Sequence, residues 1–244
     1  MKVLGVIPAR YGSSRFPGKP LIDLKGKTMI QRVYQGASAS KLITDLVVAT
    51  DDERIAEEVS RFGGNAIMTD PLHPSGTDRC AEVLKRFPFA DVVINIQGDE
   101  PLVDGRQIDC LLHAFEDQEV NIATLGIRQV TLDDLNNPNR IKIVVDKQQQ
   151  ALYFSRSCIP NYTNSPDNPL AHYPFLRHIG LYAYRAEILV SIAALKPTEL
   201  ERIESLEQLL SYIPNNVDEL APHVATGDPS DRLTPEAGAL IPES

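Results

Sequence analysis

Three cations, Arg10, Arg15 and Lys19, share the stretch VIPARYGSSRFPGKP with Ser14, Gly12 and Gly18, directly behind the apolar run Val3-Leu4-Gly5-Val6-Ile7. Glycines let a backbone approach an anion closely, and converging guanidinium and ammonium groups suit a triphosphate. A solvated basic loop is the plain alternative. The familiar phosphate signatures do not fit: Gly18-Lys19 is followed by Pro20 rather than Ser or Thr, and no G-x-G-x-x-G occurs. A second polar group, IQGDEP, follows the run VVIN. There Asp99 suits a divalent cation beside a nucleotide, since Mg²⁺ takes one or two carboxylates plus phosphate oxygens. Read alone, Asp99-Glu100 is equally an acid pair capping a helix. The third group, HPSGTDRCAE, opens a helix with Ser75-Gly76-Thr77, whose start would hold a phosphate or simply cap itself.

These groups can meet only if each lies at the end of a strand in one sheet. Residues 3–7, 46–50, 66–68, 92–96 and 122–127 read as buried strands. Between them, 29–38, 53–62, 77–87 and 106–115 carry helical periodicity, with Gly63-Gly64 as a stop. Such alternation predicts an α/β fold, a mostly parallel sheet covered on both faces, which binds ligands at its carboxyl edge. From about residue 136 the texture changes. IKIVVDKQQQALYFSR predicts two strands joined by a polar hairpin, and YTNSPDNPLAHYP a Pro/Asn-rich loop, together an insertion across that edge.

Composition narrows the setting. The 244 residues are 43% hydrophobic and 23% charged, enough for a sizeable core. A net charge of -9 argues against nucleic acid as a partner. Without a long apolar run or a signal-like N-terminus, neither membrane insertion nor secretion is expected, and the cytoplasm is the expected location. Cys80, Cys110 and Cys158 lack metal or redox spacing and read as buried reduced thiols.

The blocks IPARYGSSRFPGKPL, VATDD, MTDPLHPSGTDR, VINIQGDEP, ALYFSR, RHIGLYAYR and IESLEQL resemble, in order and spacing, the bacterial 3-deoxy-manno-octulosonate cytidylyltransferases, or CMP-Kdo synthetases, over residues 1–209. The resemblance implies a Rossmann-like nucleotide-diphospho-sugar transferase fold in a single domain, with a nucleotide-binding part at about 1–130. It also implies a β-rich sugar-binding and dimerisation part at about 131–212, and leaves a divergent tail at 213–244. It further implies a homodimer, Mg²⁺ dependence, and the reaction of CTP with Kdo to give CMP-Kdo and pyrophosphate for lipopolysaccharide synthesis.

On this resemblance Arg10, Ser14, Arg15 and Lys19 match positions holding the CTP phosphates, and Ser75, Gly76 and Arg79 the region that reads cytosine and ribose. Asp99 matches a magnesium ligand, and Gln97 lies between metal and sugar. Arg156, His178, Tyr182, Glu207 and Gln208 match Kdo-facing positions, the fork of Arg156 suiting the sugar carboxylate. Arg10, Lys19 and Asp99 carry catalysis, and Kdo attacks the α-phosphorus directly, so no nucleophilic triad is required. A related acid sugar, 8-amino-Kdo or a sialic acid, remains open.

The tail departs from the resemblance. Relatives carry a VDTPEDL block whose Asp is a second magnesium ligand. If RLTPEAGAL stands in for that block, Leu233 occupies the Asp position, with Asp228 and Asp231 as neighbouring candidates for the metal. A weakly active or non-catalytic CTP-binding protein is the reading that follows if neither substitutes.

Overall fold

A computed structural model of the chain describes residues 1–12, 16–162, 168–196, 198–204, Leu206 and 222–226. Strands β1 (Val3–Ala9), β2 (Asp45–Thr50), β3 (Ala66–Met68), β4 (Val92–Asn95), β5 (Ile122–Arg128), β8 (Leu176–Arg185) and β9 (His223–Thr226) form one sheet in the order β3-β2-β1-β4-β8-β5-β9. Strands β6 (Lys142–Val145) and β7 (Ala151–Ser155) branch from β8, β6 pairing with β8 and β7 with β6.

β1 pairs in parallel with β2 and β4, β2 with β3, and β5 with β9, whereas β8 runs against both β4 and β5. The mostly parallel α/β sheet expected from the sequence is therefore present, with one strand reversed. That strand also changes the picture of the second half. The expected hairpin is there as β6 and β7, but β8 threads between β4 and β5, so this half is built into the central sheet.

Each helix of the first half follows from a cap and an apolar stripe. Helix α1 (Met29–Ser38) is capped by Thr28 and buries Met29, Ile30, Val33 and Ala37. Helix α2 (Glu53–Arg61) starts on Asp52 and buries Ile55 and Val59. Helix α3 (Gly76–Leu84) starts on Ser75, and α4 (Gly105–His113) on Asp104. The last two stop two to three residues short of the expected ends, α4 passing into a 3₁₀ turn at Ala114–Glu116. Further on lie α5 (Leu132–Asn136), α6 (Pro169–His172), α7 (Ala186–Ala193) and α8 (Glu199–Glu204).

β1, β4 and their neighbours pack α1, α2 and α4 on one face, around Ile7, Ile30, Val33, Ile55, Ile94 and Leu111. The other face packs α3 and α7 through Leu4, Val6, Cys80, Val83, Val93 and Leu189. None of the three cysteines forms a disulfide; Cys80 is buried as expected, whereas Cys110 and Cys158, which lie at helix and loop surfaces, are only half-buried. From β1 the chain steps outward to β2 and β3, then returns to lay β4 on the opposite side of β1. This reversal opens a crevice at the carboxyl ends of β1 and β4, where an open α/β sheet takes its ligand.

Candidate functional site

That crevice is a cleft of about 360 Å³ lined by the ends of β1 and β4 and by the β3–α3 connection. Its shape depends on close backbone approach. A Cβ on Gly98 would sit 2.5 Å from the Pro8 carbonyl oxygen, so only glycine lets the loop after β4 rest on β1. Gly18, at φ 75°, turns the chain into a 3₁₀ turn at Lys19–Leu21 and donates its N–H to the Tyr11 carbonyl at 2.9 Å. The Tyr11 ring packs over Gly18 on one side and carries the Arg54 guanidinium 3.3 Å from its centroid. Arg54 in turn forks onto Asp52 at 2.9 and 2.7 Å. Thus α2 holds down the start of the basic loop through Arg54, a residue with no motif to announce it. Arg10 and Lys19 both line the cleft; Ser14 and Arg15 lie outside the described residues.

Lys19 Nζ meets Asp99 Oδ2 at 2.6 Å, with 39% and 52% of the two side chains exposed. Beside them, burial pushes the Glu100 carboxyl above the usual carboxylate range, and the neighbouring Asp99 charge adds to the effect. Among the described residues no group of three or more His, Cys, Asp or Glu side chains is arranged to hold a metal. One accessible carboxylate beside a cleft lined by Arg10 and Lys19 nevertheless fits Mg²⁺, whose remaining positions are commonly filled by phosphate oxygens and water. Asp231, the second metal candidate, lies outside the described residues, as do Asp228 and Leu233.

On the β3–α3 side the side chains are largely committed to one another. Ser75 Oγ donates to Asp78 Oδ2 at 2.6 Å and accepts from the Asp78 N–H at 3.2 Å, so Ser75 caps its own helix. Arg79 is 3% exposed, donating to Thr69 Oγ1 at 2.6 Å and to Asp51 Oδ2 at 2.7 Å. It forms part of the wall as a neutralised ion pair. His73, which the motif reading passed over, also lines the cleft, its Nε2 2.5 Å from Glu82 Oε2.

A second cluster lies behind Gln97, whose Cγ is 3.7 Å from where a Cβ of Gly180 on β8 would stand. Here His178 sits between Phe154 and Tyr182, ring centroids 5.3 and 5.1 Å away. Thr124 Oγ1 donates to the Leu181 carbonyl at 2.8 Å and so accepts from His178 Nε2, 3.0 Å away. Burial holds the imidazole neutral, its pKa pushed down to about 3. The bulge between Thr124 and Leu125 lets Thr124 serve both groups.

Arg156 donates from Nε to the Glu204 carbonyl at 2.9 Å and from a terminal nitrogen to the Pro138 carbonyl at 3.3 Å. Beneath it Lys142, fully buried, donates to the Asn137 and Arg156 carbonyls at 3.0 and 2.5 Å. Glu204 accepts from Ser155 Oγ and the Arg156 N–H, docking α8 on β7. Glu207 and Gln208 lie outside the described residues. The structure therefore brings Arg10, Lys19, Ser75, Gly76, Arg79, Gln97 and Asp99 to one cleft, with Arg156, His178 and Tyr182 in the part of the sheet that adjoins it.

The cytidylyltransferase family profile matches residues 4–218. A 3-deoxy-manno-octulosonate cytidylyltransferase of Syntrophobacter fumaroxidans is 48% identical over 86% of this chain and 84% of its own. An 8-amino-3,8-dideoxy-manno-octulosonate cytidylyltransferase of a Shewanella species is also 48% identical, over 86% of this chain and 85% of its own. Among solved structures, a CMP:2-keto-3-deoxy-manno-octonic acid synthetase complexed with CTP is 42% identical, covers 93% of this chain and 90% of that one, and superposes with a TM-score of 0.83.

Proposed function

The chain belongs to the cytidylyltransferase family, in its 3-deoxy-manno-octulosonate branch, and from that premise we propose that it transfers the cytidylyl group of CTP to Kdo and releases pyrophosphate. The observation that carries the proposal is the cleft at the β1/β4 crevice, where Arg10 and Lys19 converge beside the accessible Asp99.

In this reading Arg10 and Lys19 take the triphosphate, and their charges offset that developing on the departing pyrophosphate. Ser14 and Arg15 extend this set on the strength of the resemblance. Asp99 would hold Mg²⁺, which neutralises charge on the transferring phosphoryl group and its leaving group when bound. Gln97 lies between the nucleotide cleft and β8. There the neutral His178 keeps Nδ1 as an acceptor for a sugar hydroxyl, because its Nε2 proton is committed to Thr124. Arg156, Tyr182, Glu207 and Gln208 complete the sugar side in the same reading. The anomeric 2-hydroxyl of Kdo attacks the α-phosphorus in line, one P–O bond forming as the bond to pyrophosphate breaks, with the hydroxyl proton lost to solvent.

A homodimer acting in the cytoplasm, feeding lipopolysaccharide synthesis, belongs to the same proposal and rests on the resemblance. No described helix is long and apolar enough to cross a membrane. The test is pyrophosphate release from CTP and Mg²⁺ with Kdo, 8-amino-Kdo or a sialic acid as acceptor. Kdo should give the highest kcat/KM. The 8-amino sugar is the second reading, because relatives named for the two sugars are equally similar to this chain. Release with no acceptor above the no-enzyme background would reject both.

A further inference from the structure

Tyr11 and Gly18 flank the two cations of the cleft, Tyr11 directly after Arg10 and Gly18 directly before Lys19. They are tied to each other twice. The Gly18 N–H donates to the Tyr11 carbonyl at 2.9 Å, and three atoms of the Tyr11 side chain lie 3.2 Å from where a Cβ of Gly18 would stand. At φ 75° that position favours glycine, and the bare backbone gives the ring a flat surface to rest on. The spacing of Arg10 and Lys19 therefore depends on where the Tyr11 ring sits.

The ring is held from outside the loop. The Arg54 guanidinium stacks 3.3 Å from its centroid and is itself fixed by two bonds to Asp52, at 2.9 and 2.7 Å. Asp52 is a firm anchor because it also caps α2, its Oδ1 accepting the Arg54 N–H at 3.0 Å. Next to it Asp51 pairs with Arg79 in the wall on the β3–α3 side, so consecutive carboxylates behind β2 brace both sides of the cleft. Arg54 lies outside the sequence blocks that carry the family resemblance, and its side chain is 57% exposed. A cation so open to solvent adds little to the stability of the whole fold; its effect is to restrict one ring.

We propose that Arg54 is a positioning residue for the triphosphate: stacked on Tyr11 and anchored on Asp52, it sets the spacing of Arg10 and Lys19 for the β- and γ-phosphates before CTP arrives. Without it the loop must be ordered at the moment of binding, and that cost falls on affinity for the phosphate end of the nucleotide. The inference rests on the reading of this cleft as a CTP site.

The test compares wild type, Arg54→Ala, Arg54→Lys, Tyr11→Leu and Tyr11→Phe, using calorimetric binding of CTP and of CMP, which lacks the β- and γ-phosphates, and pyrophosphate release with Kdo. Arg54→Ala should weaken CTP binding about five- to tenfold while leaving CMP nearly unchanged, and should raise KM for CTP but not KM for Kdo. Tyr11→Leu should show the same loss, and Tyr11→Phe, which keeps the ring, should restore most of it. Arg54→Lys, a cation that cannot fork onto Asp52, should fall between wild type and Arg54→Ala. The double variant Arg54→Ala/Tyr11→Leu should lose no more than the larger single loss, since both act through one contact. An equal loss for CTP and CMP, additive losses in the double variant, or a CTP/CMP affinity ratio within about twofold of wild type in Arg54→Ala overturns the inference. If wild type releases no pyrophosphate with Kdo but binds CTP with an Arg54-dependent ratio, the proposed reaction fails while the inference stands. If wild type binds no CTP, both fail.

Discussion

Lys19 and Asp99 touch at 2.6 Å across the mouth of the cleft, the cation from the loop after β1 resting on the carboxylate from the loop after β4. Both groups are wanted elsewhere in the proposed reaction, Lys19 by phosphate and Asp99 by Mg²⁺. In the proposed reaction CTP and metal together would relieve this pairing, since each partner would gain an opposite charge as the contact opened. The pair therefore holds two loops near their working positions without a large stabilising contribution, since exposed ion pairs are worth about 0–1 kcal/mol.

Lys19→Ala should accordingly lower kcat by about 10²–10³ while changing unfolding free energy by no more than about 1 kcal/mol. Steady-state pyrophosphate release and urea unfolding check the two halves. A loss of activity below about tenfold would count against phosphate binding by Lys19.

Asp99→Asn should remove activity together with the Mg²⁺ dependence of CTP binding, leaving metal-free CTP binding intact because the cations of the basic loop remain. Calorimetry of CTP with and without Mg²⁺ reads this directly. An unchanged Mg²⁺ midpoint in the variant would put the metal on other residues.

Lys142→Met probes the sugar side through a residue that touches no substrate in the proposed reaction. Its ammonium supplies hydrogen bonds to two carbonyls in the interior, and burial lowers its pKa. The variant leaves both carbonyls unmatched, which should cost about 3 kcal/mol. Since one of them belongs to Arg156, KM for Kdo should rise severalfold with KM for CTP nearly unchanged. Equal changes in both constants would restrict Lys142 to general stability.

The sheet of the first half was legible because each strand is a continuous apolar run and each helix begins on a side-chain cap, as at Thr28, Asp52 and Ser75. β8 was harder to place from its pattern, because RHIGLYAYR mixes charges and aromatics in a strand flanked by β4 and β5. In the proposed reaction its side chains serve a site as well as a core. The cleft residues Arg10, Lys19 and Asp99 announced themselves by charge at strand ends. Lys142 did not, since a lysine in IKIVV reads as an exposed face of an alternating strand, and only its carbonyl partners explain its burial. Arg54 and His73 depend on contacts with Tyr11 and Glu82 that no local spacing reports.

The pH dependence of stability should carry the signature of His178. Its folded pKa lies at about 3 against an ordinary 6.5, so between those values the unfolded chain binds a proton that the folded chain refuses. Stability from this group is complete above pH 6.5 and falls as the solution is acidified. From pH 7 to 5 the loss is about 2 kcal/mol, the slope approaching 1.36 kcal/mol per pH unit below pH 6.5. Any folded value well below 5 gives the same figure, so the prediction does not depend on how far burial drives the ring. In His178→Gln the amide can still donate to Thr124 but cannot titrate, and all other groups are shared with wild type. Urea unfolding at pH 7 and pH 5 should therefore show the wild type losing about 2 kcal/mol more than the variant over that interval. Parallel curves for the two proteins would mean that the folded imidazole takes up its proton normally, and with it would go the assignment of His178 as a neutral acceptor for the sugar.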